Sequence, residues 1–204
     1  ALPLVALTAW EGLERAGVQE GDKVLVQGAT GGVAHVAIQL AKEKGAQVYC
    51  TGSSAEKLAI AGDLGADVLV NYRETAGEEM VRAYADGTGF EVVFDTVSGA
   101  NLQHSFQVAR ANARVVATVT LGPIDLTLAH MKALSLHVVF VLIPLISGCG
   151  RAAYGDILTK VSRLVDDGRL RPLIDPHRFT FAQVAAAHEL MESGDAIGKI
   201  VLER

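Results

Sequence analysis

The chain has few cysteines, no clustered cations and no metal-ligand pattern among its histidines, and each shortage narrows what it can be. Cys50 and Cys149 are its two cysteines, and neither belongs to a C-x-x-C pair. Two thiols cannot build a disulfide framework or a four-cysteine zinc site, which fits a reducing, cytoplasmic setting. Lys and Arg number 18 against 23 Asp and Glu, a formal charge of -5. Without a basic patch there is no electrostatic footprint for nucleic acid or an anionic membrane, so neither is expected as a partner. His35, His104, His130, His137, His177 and His188 are scattered without ligand spacing, so surface or packing roles are expected and no metal. His35 is the exception to watch, since it falls in the first turns of a helix that follows a glycine turn.

Charge is also missing from residues 133–150, "ALSLHVVFVLIPLISGCG", which raises the question of a membrane helix. His137, Pro144, two serines and two glycines argue against one. Fully buried parallel strands also read as unbroken apolar runs, and the chain has several. No basic n-region or cleavage motif precedes "ALPLVALTAW", so no signal peptide is read there, and the chain reads as a piece of something longer.

What is present is half hydrophobic over 204 residues, enough for a sizeable core. Apolar runs alternate with helical patterns. Strands are expected at 23–27, 47–51, 68–71, 91–95, 114–119 and 136–142, with helices at about 32–44, 55–64, 78–84 and 100–110 between them. That order predicts an α/β fold, a doubly wound Rossmann sheet of six parallel strands. Beyond residue 150 the expectation is a helix at 153–167, a short extended "RPLID", a helix at 181–193 and a closing strand in "GKIVLE". Residues 1–170 are therefore expected to form the nucleotide-binding domain with its lead-in, and 171–204 a C-terminal tail.

Between the first strand and its helix lies "GATGGVA", Gly28 to Ala34. In a dinucleotide fingerprint the glycines make the turn, admit the pyrophosphate to the backbone and let helix and strand pack. Here only the central glycine of G-x-G-x-x-G stands as written, so the bare motif is weak, and a glycine turn can serve only to reverse the chain. Its place after the first strand and before a helix N-terminus favours a phosphate site at Gly31, Gly32 and Val33. About 20 residues on, an acid would hold the ribose 2′-hydroxyl of NAD. The chain instead reads "TGSSAEK". Ser53 stands where the carboxylate would be, Ser54 can donate a hydrogen bond, Lys57 supplies a charge, and Tyr72 flanks the adenine side. NADPH is the cofactor this predicts. The serines could instead cap the next helix, and Glu56 argues the other way.

These residues resemble the nucleotide-binding half of the medium-chain dehydrogenase/reductase superfamily, closest to its zinc-free quinone oxidoreductase-like branch. The resemblance runs through "ALPLVALTAWEGL", "VQEGDKVLVQGATGGVAHVAIQLAKEKGA", "LGADVLVNYR", "GFEVVFDTVSG" and "AHELMESGDAIGKIVL". It implies that Ser53, Ser54, Lys57 and Tyr72 grip the 2′-phosphate, and that Gly31, Gly32 and Val33 hold the pyrophosphate. It also puts Thr8 near the nicotinamide end, with Thr120 and Leu142 in the loops that close over the ring. Zinc-type alcohol dehydrogenase-like relatives carry a ligand about four residues before the "LTAW" threonine, where this chain has Leu4. The family's GroES-like catalytic domain would precede Ala1, and the tail from Leu173 would return to it.

The resemblance implies hydride transfer from NADPH to a quinone or α,β-unsaturated carbonyl. The enoyl reductase module of a polyketide or fatty-acid synthase is an alternative, and so is a non-catalytic NADPH-binding protein. Asp95 and Ser98 read as structural. The resemblance further implies a homodimer paired through the bare edge strand 136–142.

Overall fold

In the computed structural model, residues 1–75 and 77–204 are described. The chain enters through helix α1 (Pro3–Arg15), where proline in the first turn loses no helical hydrogen bond. Strand β1 (Lys23–Gln27), helix α2 (Ala34–Glu43), strand β2 (Gln47–Gly52), helix α3 (Ala55–Asp63) and strand β3 (Val68–Asn71) make the first half. Helix α4 (Gly77–Tyr84), strand β4 (Phe90–Asp95), helix α5 (Asn101–Val108), strand β5 (Ala109–Ala117), helix α6 (Thr127–Met131) and strand β6 (Ser135–Val138) make the second.

The six strands lie in the order β3-β2-β1-β4-β5-β6, every pair parallel, as the doubly wound expectation required. Alternate residues feed two cores. Val24, Val26, Val92 and Phe94 face the layer of α1 and α2, while Leu25 and Val93 face α4 and α5. Gly12 lets α1 settle onto the sheet: a Cβ there would lie 2.6 Å from the Phe94 ring. Adding that carbon would overpack the contact.

Two strand boundaries differ clearly from expectation. β5 starts at Ala109, directly after α5, and its pairing with β4 shifts between Phe90 and Val92. β6 ends at Val138, not at Leu142. The last ladder bond there is Val139 N–H to the Ala117 carbonyl, after which the chain turns into helix α7 (Ile143–Ser147) with Pro144 in its first turn. The residues past the strand still alternate: Val139 and Val141 are 2% and 4% exposed, Val138 and Phe140 are 44% and 50% exposed. Solvent therefore meets Val138 and Phe140, and Val139 and Val141 belong to the core.

Helix α8 (Arg151–Asp166) packs on α1 and contributes Val161 to that core. Residues 181–183 form a 3-10 turn that leads into helix α9 (Val184–Ser193). Of "GKIVLE", only Leu202–Glu203 is strand (β8), paired with β7 (Phe179–Thr180) in a separate two-stranded sheet, with a lone bridge between Ile174 and Lys199. The tail therefore does not extend the large sheet. Among the described residues no helix is long and apolar enough to cross a membrane, and 133–150 divides into β6, a turn and α7.

Candidate functional site

Ligands of open α/β sheets bind beyond the strands' carboxyl ends, where the connections part to either side. Here β1, β2 and β4 end around a cleft of about 500 Å³. Its walls come from the β1–α2 turn, the β2–α3 turn, the segment after β4, and Gly194 and Ala196 of the tail.

The β1–α2 turn needs small residues. Gly28 has φ +90°, and a Cβ there would lie 3.1 Å from Thr96 Oγ1, which donates to the Gln27 carbonyl at 2.7 Å. A Cβ on Gly31 would reach 3.1 Å from the Gly28 carbonyl, to which Gly31 N–H donates at 2.8 Å. Among the described residues, the N–H groups of Gly32, Val33 and Ala34 donate to no protein acceptor, and no side chain caps the helix. Three free donors at a helix N-terminus suit a phosphate. Gly31 lines the cleft, whereas Gly32 and Val33, expected beside it at the phosphate, are not among the lining residues.

His35 lies one turn into α2 and is fully buried. Its Nδ1 is 3.1 Å from the Gly31 carbonyl, and Nε2 has no partner. Burial pushes the imidazole below its ordinary pKa, the Gly31 bond opposes this, and Lys199 reinforces it. A neutral ring that donates from Nδ1 follows.

At the β2–α3 turn, Ser53, Lys57 and Tyr72 line the cleft together. Ser54 does not. It is the N-cap of α3, accepting from the Lys57 N–H at 3.3 Å, which is the capping role open to it from sequence. Lys57 Nζ donates to the Gly194 carbonyl at 3.2 Å. Thr8 is buried within α1 with its hydroxyl on the Leu4 carbonyl, and neither Thr120 nor Leu142 lies on the cleft walls. Of the residues expected at the phosphate and ribose end, the cleft brings together Gly31, Ser53, Lys57 and Tyr72, and it includes none of those expected at the nicotinamide end.

Gln27, Asn101 and His104 line the cleft without having been singled out from sequence. Gln27 Oε1 accepts from Asn101 Nδ2 and Ser105 Oγ, both at 2.7 Å, and its Nε2 is 3.2 Å from His104 Nδ1. Gly77 N–H donates to His104 Nε2 at 3.2 Å. Burial lowers the His104 pKa, with Asp95 pulling the other way. Asp95 is itself buried, and its Oδ1 accepts from Val97 and Ser98 N–H groups at 2.8 and 2.9 Å. It fixes the loop after β4. Gln27's place at a strand's carboxyl end was a signal that could have found it, whereas Gly194 and Ala196 carry none. Among the described residues, no group of three or more His, Cys, Asp or Glu side chains could hold a metal ion.

A family model described as "Zinc-binding dehydrogenase" matches residues 64–202. A 2-methylene-furan-3-one reductase of Solanum lycopersicum is 33% identical over 204 residues, covering 99% of this chain and 45% of that protein. An NADPH-dependent alkenal/one oxidoreductase, chloroplastic, of Arabidopsis thaliana is 32% identical over 203 residues, covering 98% of this chain and 45% of that protein. The chain thus spans about half the length of these curated relatives. Among solved structures, an alcohol dehydrogenase superfamily protein from Novosphingobium aromaticivorans superposes with a TM-score of 0.90 at 35% identity, covering 99% of this chain and 62% of that one.

Proposed function

Because the chain belongs to this zinc-binding dehydrogenase family, in the quinone oxidoreductase-like part of the medium-chain dehydrogenase/reductase superfamily, it is oxidoreductase material, and we propose that it serves an NADPH-dependent reduction of conjugated carbonyls. The observation that carries this is the cleft's phosphate chemistry. The N–H groups of residues 32–34 at the start of α2 have no protein acceptor among the described residues, and Ser53 and Lys57 line the cleft at the end of β2 with no carboxylate on the wall.

The residues present fit such a cofactor. Gly32, Val33 and Ala34 would donate to its pyrophosphate, and Ser53 and Lys57 would hold the 2′-phosphate through a hydroxyl and a point charge. Tyr72 and Val97, both exposed at the rim, would flank the adenine. When bound, the cofactor supplies the hydride. The chain's part is to bind and orient it. Asp95 keeps the loop after β4 in place, and the buried Gln27–Ser105–Asp95 network stiffens the floor.

What supports this substrate class is the chemistry in the relatives' names, a methylene-furanone in one and alkenals or alkenones in the other. A quinone presents the same conjugated carbonyl acceptor, so both fall within the proposal. The test is a panel of enones, quinones and saturated aldehydes with each nicotinamide cofactor on the whole protein. Steady NADPH oxidation with a conjugated carbonyl supports the reading, and binding without turnover across the panel would leave a non-catalytic NADPH-binding protein.

We also propose a homodimer through the β6 edge. Val138, Phe140, Leu142, Ile143, Leu145 and Ile146 are all exposed along one stretch, more apolar surface than an isolated sheet edge normally leaves bare. Arg15 already takes the Val138 carbonyl at 2.9 Å, so that carbonyl is not open to a partner strand.

A further inference from the structure

His104 stands between two hydrogen-bond donors. Its Nε2 accepts from the Gly77 N–H at 3.2 Å, and its Nδ1 lies 3.2 Å from Gln27 Nε2. Gly77 opens α4, so its N–H is among the donors that a helix leaves unpaired at its start. A side chain of α5 therefore caps α4. Burial lowers the pKa of His104, with Asp95 opposing, so the ring is uncharged around neutral pH. An uncharged imidazole has one acceptor nitrogen. It cannot accept from Gly77 and from Gln27 together.

The backbone donor cannot be turned, but an amide can. Gln27 as it stands gives its oxygen to Asn101 and Ser105 and its nitrogen to His104. A half-turn exchanges the two and leaves the other atoms in place. The Gln27 oxygen then takes the Nδ1–H of His104, and its nitrogen lies 2.7 Å from Ser105 Oγ and 2.7 Å from the Asn101 amide. Asn101, turned likewise, offers its oxygen. Ser105 is freed to give its proton to Asp95 Oδ2 at 3.1 Å. Every donor now meets an acceptor, and the bonds run one way from the Gly77 amide to the Asp95 carboxylate. Gln27, Ser105 and Asp95 are buried, so a donor left facing a donor here would carry the full cost of an unmade bond.

What this chain of bonds holds is a wall of the cleft. Tyr72 lies on the connection between β3 and α4, half exposed on the rim, with its N–H on the Gly52 carbonyl at 3.2 Å. Asn71 secures the β3 end of that connection. Its Oδ1 accepts from Arg73 N–H at 3.1 Å, and its Nδ2 donates to the Glu74 carboxylate at 2.7 Å. His104 secures the α4 end. A Cβ on Gly77 would meet no atom within 4 Å, so the hydrogen bond fixes this residue more than packing does.

We propose that His104 is the positioning residue for Tyr72: as the Nδ1–H tautomer, braced by Gln27, Ser105 and Asp95, it holds the first amide of α4 and keeps the Tyr72 wall in place for the adenosine half of the cofactor. This rests on the dinucleotide reading above.

Ring-nitrogen chemical shifts of the isotope-labelled wild-type chain read the tautomer with no variant and no ligand. A protonated Nδ1 and a bare Nε2 are expected, and the reverse would overturn the proposal. Dissociation constants of NADPH and adenosine 2′-monophosphate are then measured for His104→Gln, His104→Asn and His104→Leu, each first shown to melt as the wild type does. His104→Gln still reaches Gly77 with an acceptor, whereas His104→Asn reaches only Gln27. His104→Leu and His104→Asn should therefore weaken both ligands by about fivefold, the worth of one hydrogen bond, and His104→Gln should stay within about twofold of wild type. Recovery by His104→Asn and not by His104→Gln would overturn the proposal, because it would confine the ring's role to the cleft floor. In a Tyr72→Leu background His104→Leu should change either constant by less than about twofold, since the residue it positions is gone. An undiminished loss there would overturn the proposal too. A wild-type chain that binds neither ligand would instead overturn the dinucleotide reading, and the tautomer would still judge the His104 contact with Gly77 by itself.

Discussion

Lys57 on α3 and Gly194 at the end of α9 meet across the cleft, the ammonium donating to the glycine carbonyl at 3.2 Å. A cation expected at a 2′-phosphate is thus held ready by the tail. Replacing it tests that role. Lys57→Met should weaken NADPH by about tenfold and change NADH by less than about twofold, since only NADPH carries the charge that the lysine meets. Cofactor fluorescence titration reads both numbers, and parallel losses would mean the lysine serves the fold.

Ser53 gives a sharper test of the same pocket. Ser53→Asp places a carboxylate on the wall where a 2′-phosphate would lie, and like charges at that range disfavour each other by about tenfold or more in binding. The same carboxylate can accept from a free ribose hydroxyl. The expected outcome is a reversed preference, NADH over NADPH, in competitive titration. A retained NADPH preference would place the 2′-phosphate elsewhere.

At the β6 edge, side-chain direction separates assembly from stability. Val138→Lys and Phe140→Lys should convert a dimer to monomer in sedimentation velocity while leaving cofactor binding within about twofold. Val139→Lys should instead lower the melting temperature, because it drives a charge into a position that is 2% exposed. Wild-type chain sedimenting as a monomer at tens of micromolar would contradict the paired edge.

How far the chain could be read without coordinates depended on what each signal reports. β1, β2 and β4 were legible because a parallel strand buried on both faces is an unbroken apolar run between turn residues. β6 was overdrawn for the same reason: Val139 and Val141 are apolar because they are buried, and burial continues where pairing has stopped. That Gly31, Ser53, Lys57 and Tyr72 lie on one cleft was legible because each follows closely on the end of β1, β2 or β3. Ser54 could bind or cap, and the backbone of α3 decided for capping. The meeting of Gly198 with Thr30 and of Lys199 with Gly32 was not legible, because it joins segments far apart along the chain.

Asp175 predicts an acid response of the tail. Desolvation raises its pKa, but the hydrogen bonds from Ile197 and from the His177 backbone and ring outweigh it, so the folded carboxyl lies below its ordinary value. A depressed carboxyl contributes stability that is present above its unfolded pKa, about 3.9, and is lost as pH falls through the lower folded value. The Ile197 and Gly198 amides should therefore lose hydrogen-exchange protection below about pH 4, ahead of β1 and β4. In Asp175→Asn that step should vanish, with the two amides less protected at neutral pH. Unchanged protection in the variant would remove Asp175 as the tail's anchor.

If the cleft at the ends of β1 and β2 takes a dinucleotide with a 2′-phosphate, as proposed, NADPH and NADH must bind the chain unequally. Isothermal titration of the 204-residue chain with NADPH and with NADH, in the same buffer, tests it most directly. The account predicts one site per chain and a dissociation constant at least about tenfold lower for NADPH, the contribution of Ser53 and Lys57 to a doubly charged group. Equal affinities, or a preference for NADH, would contradict it.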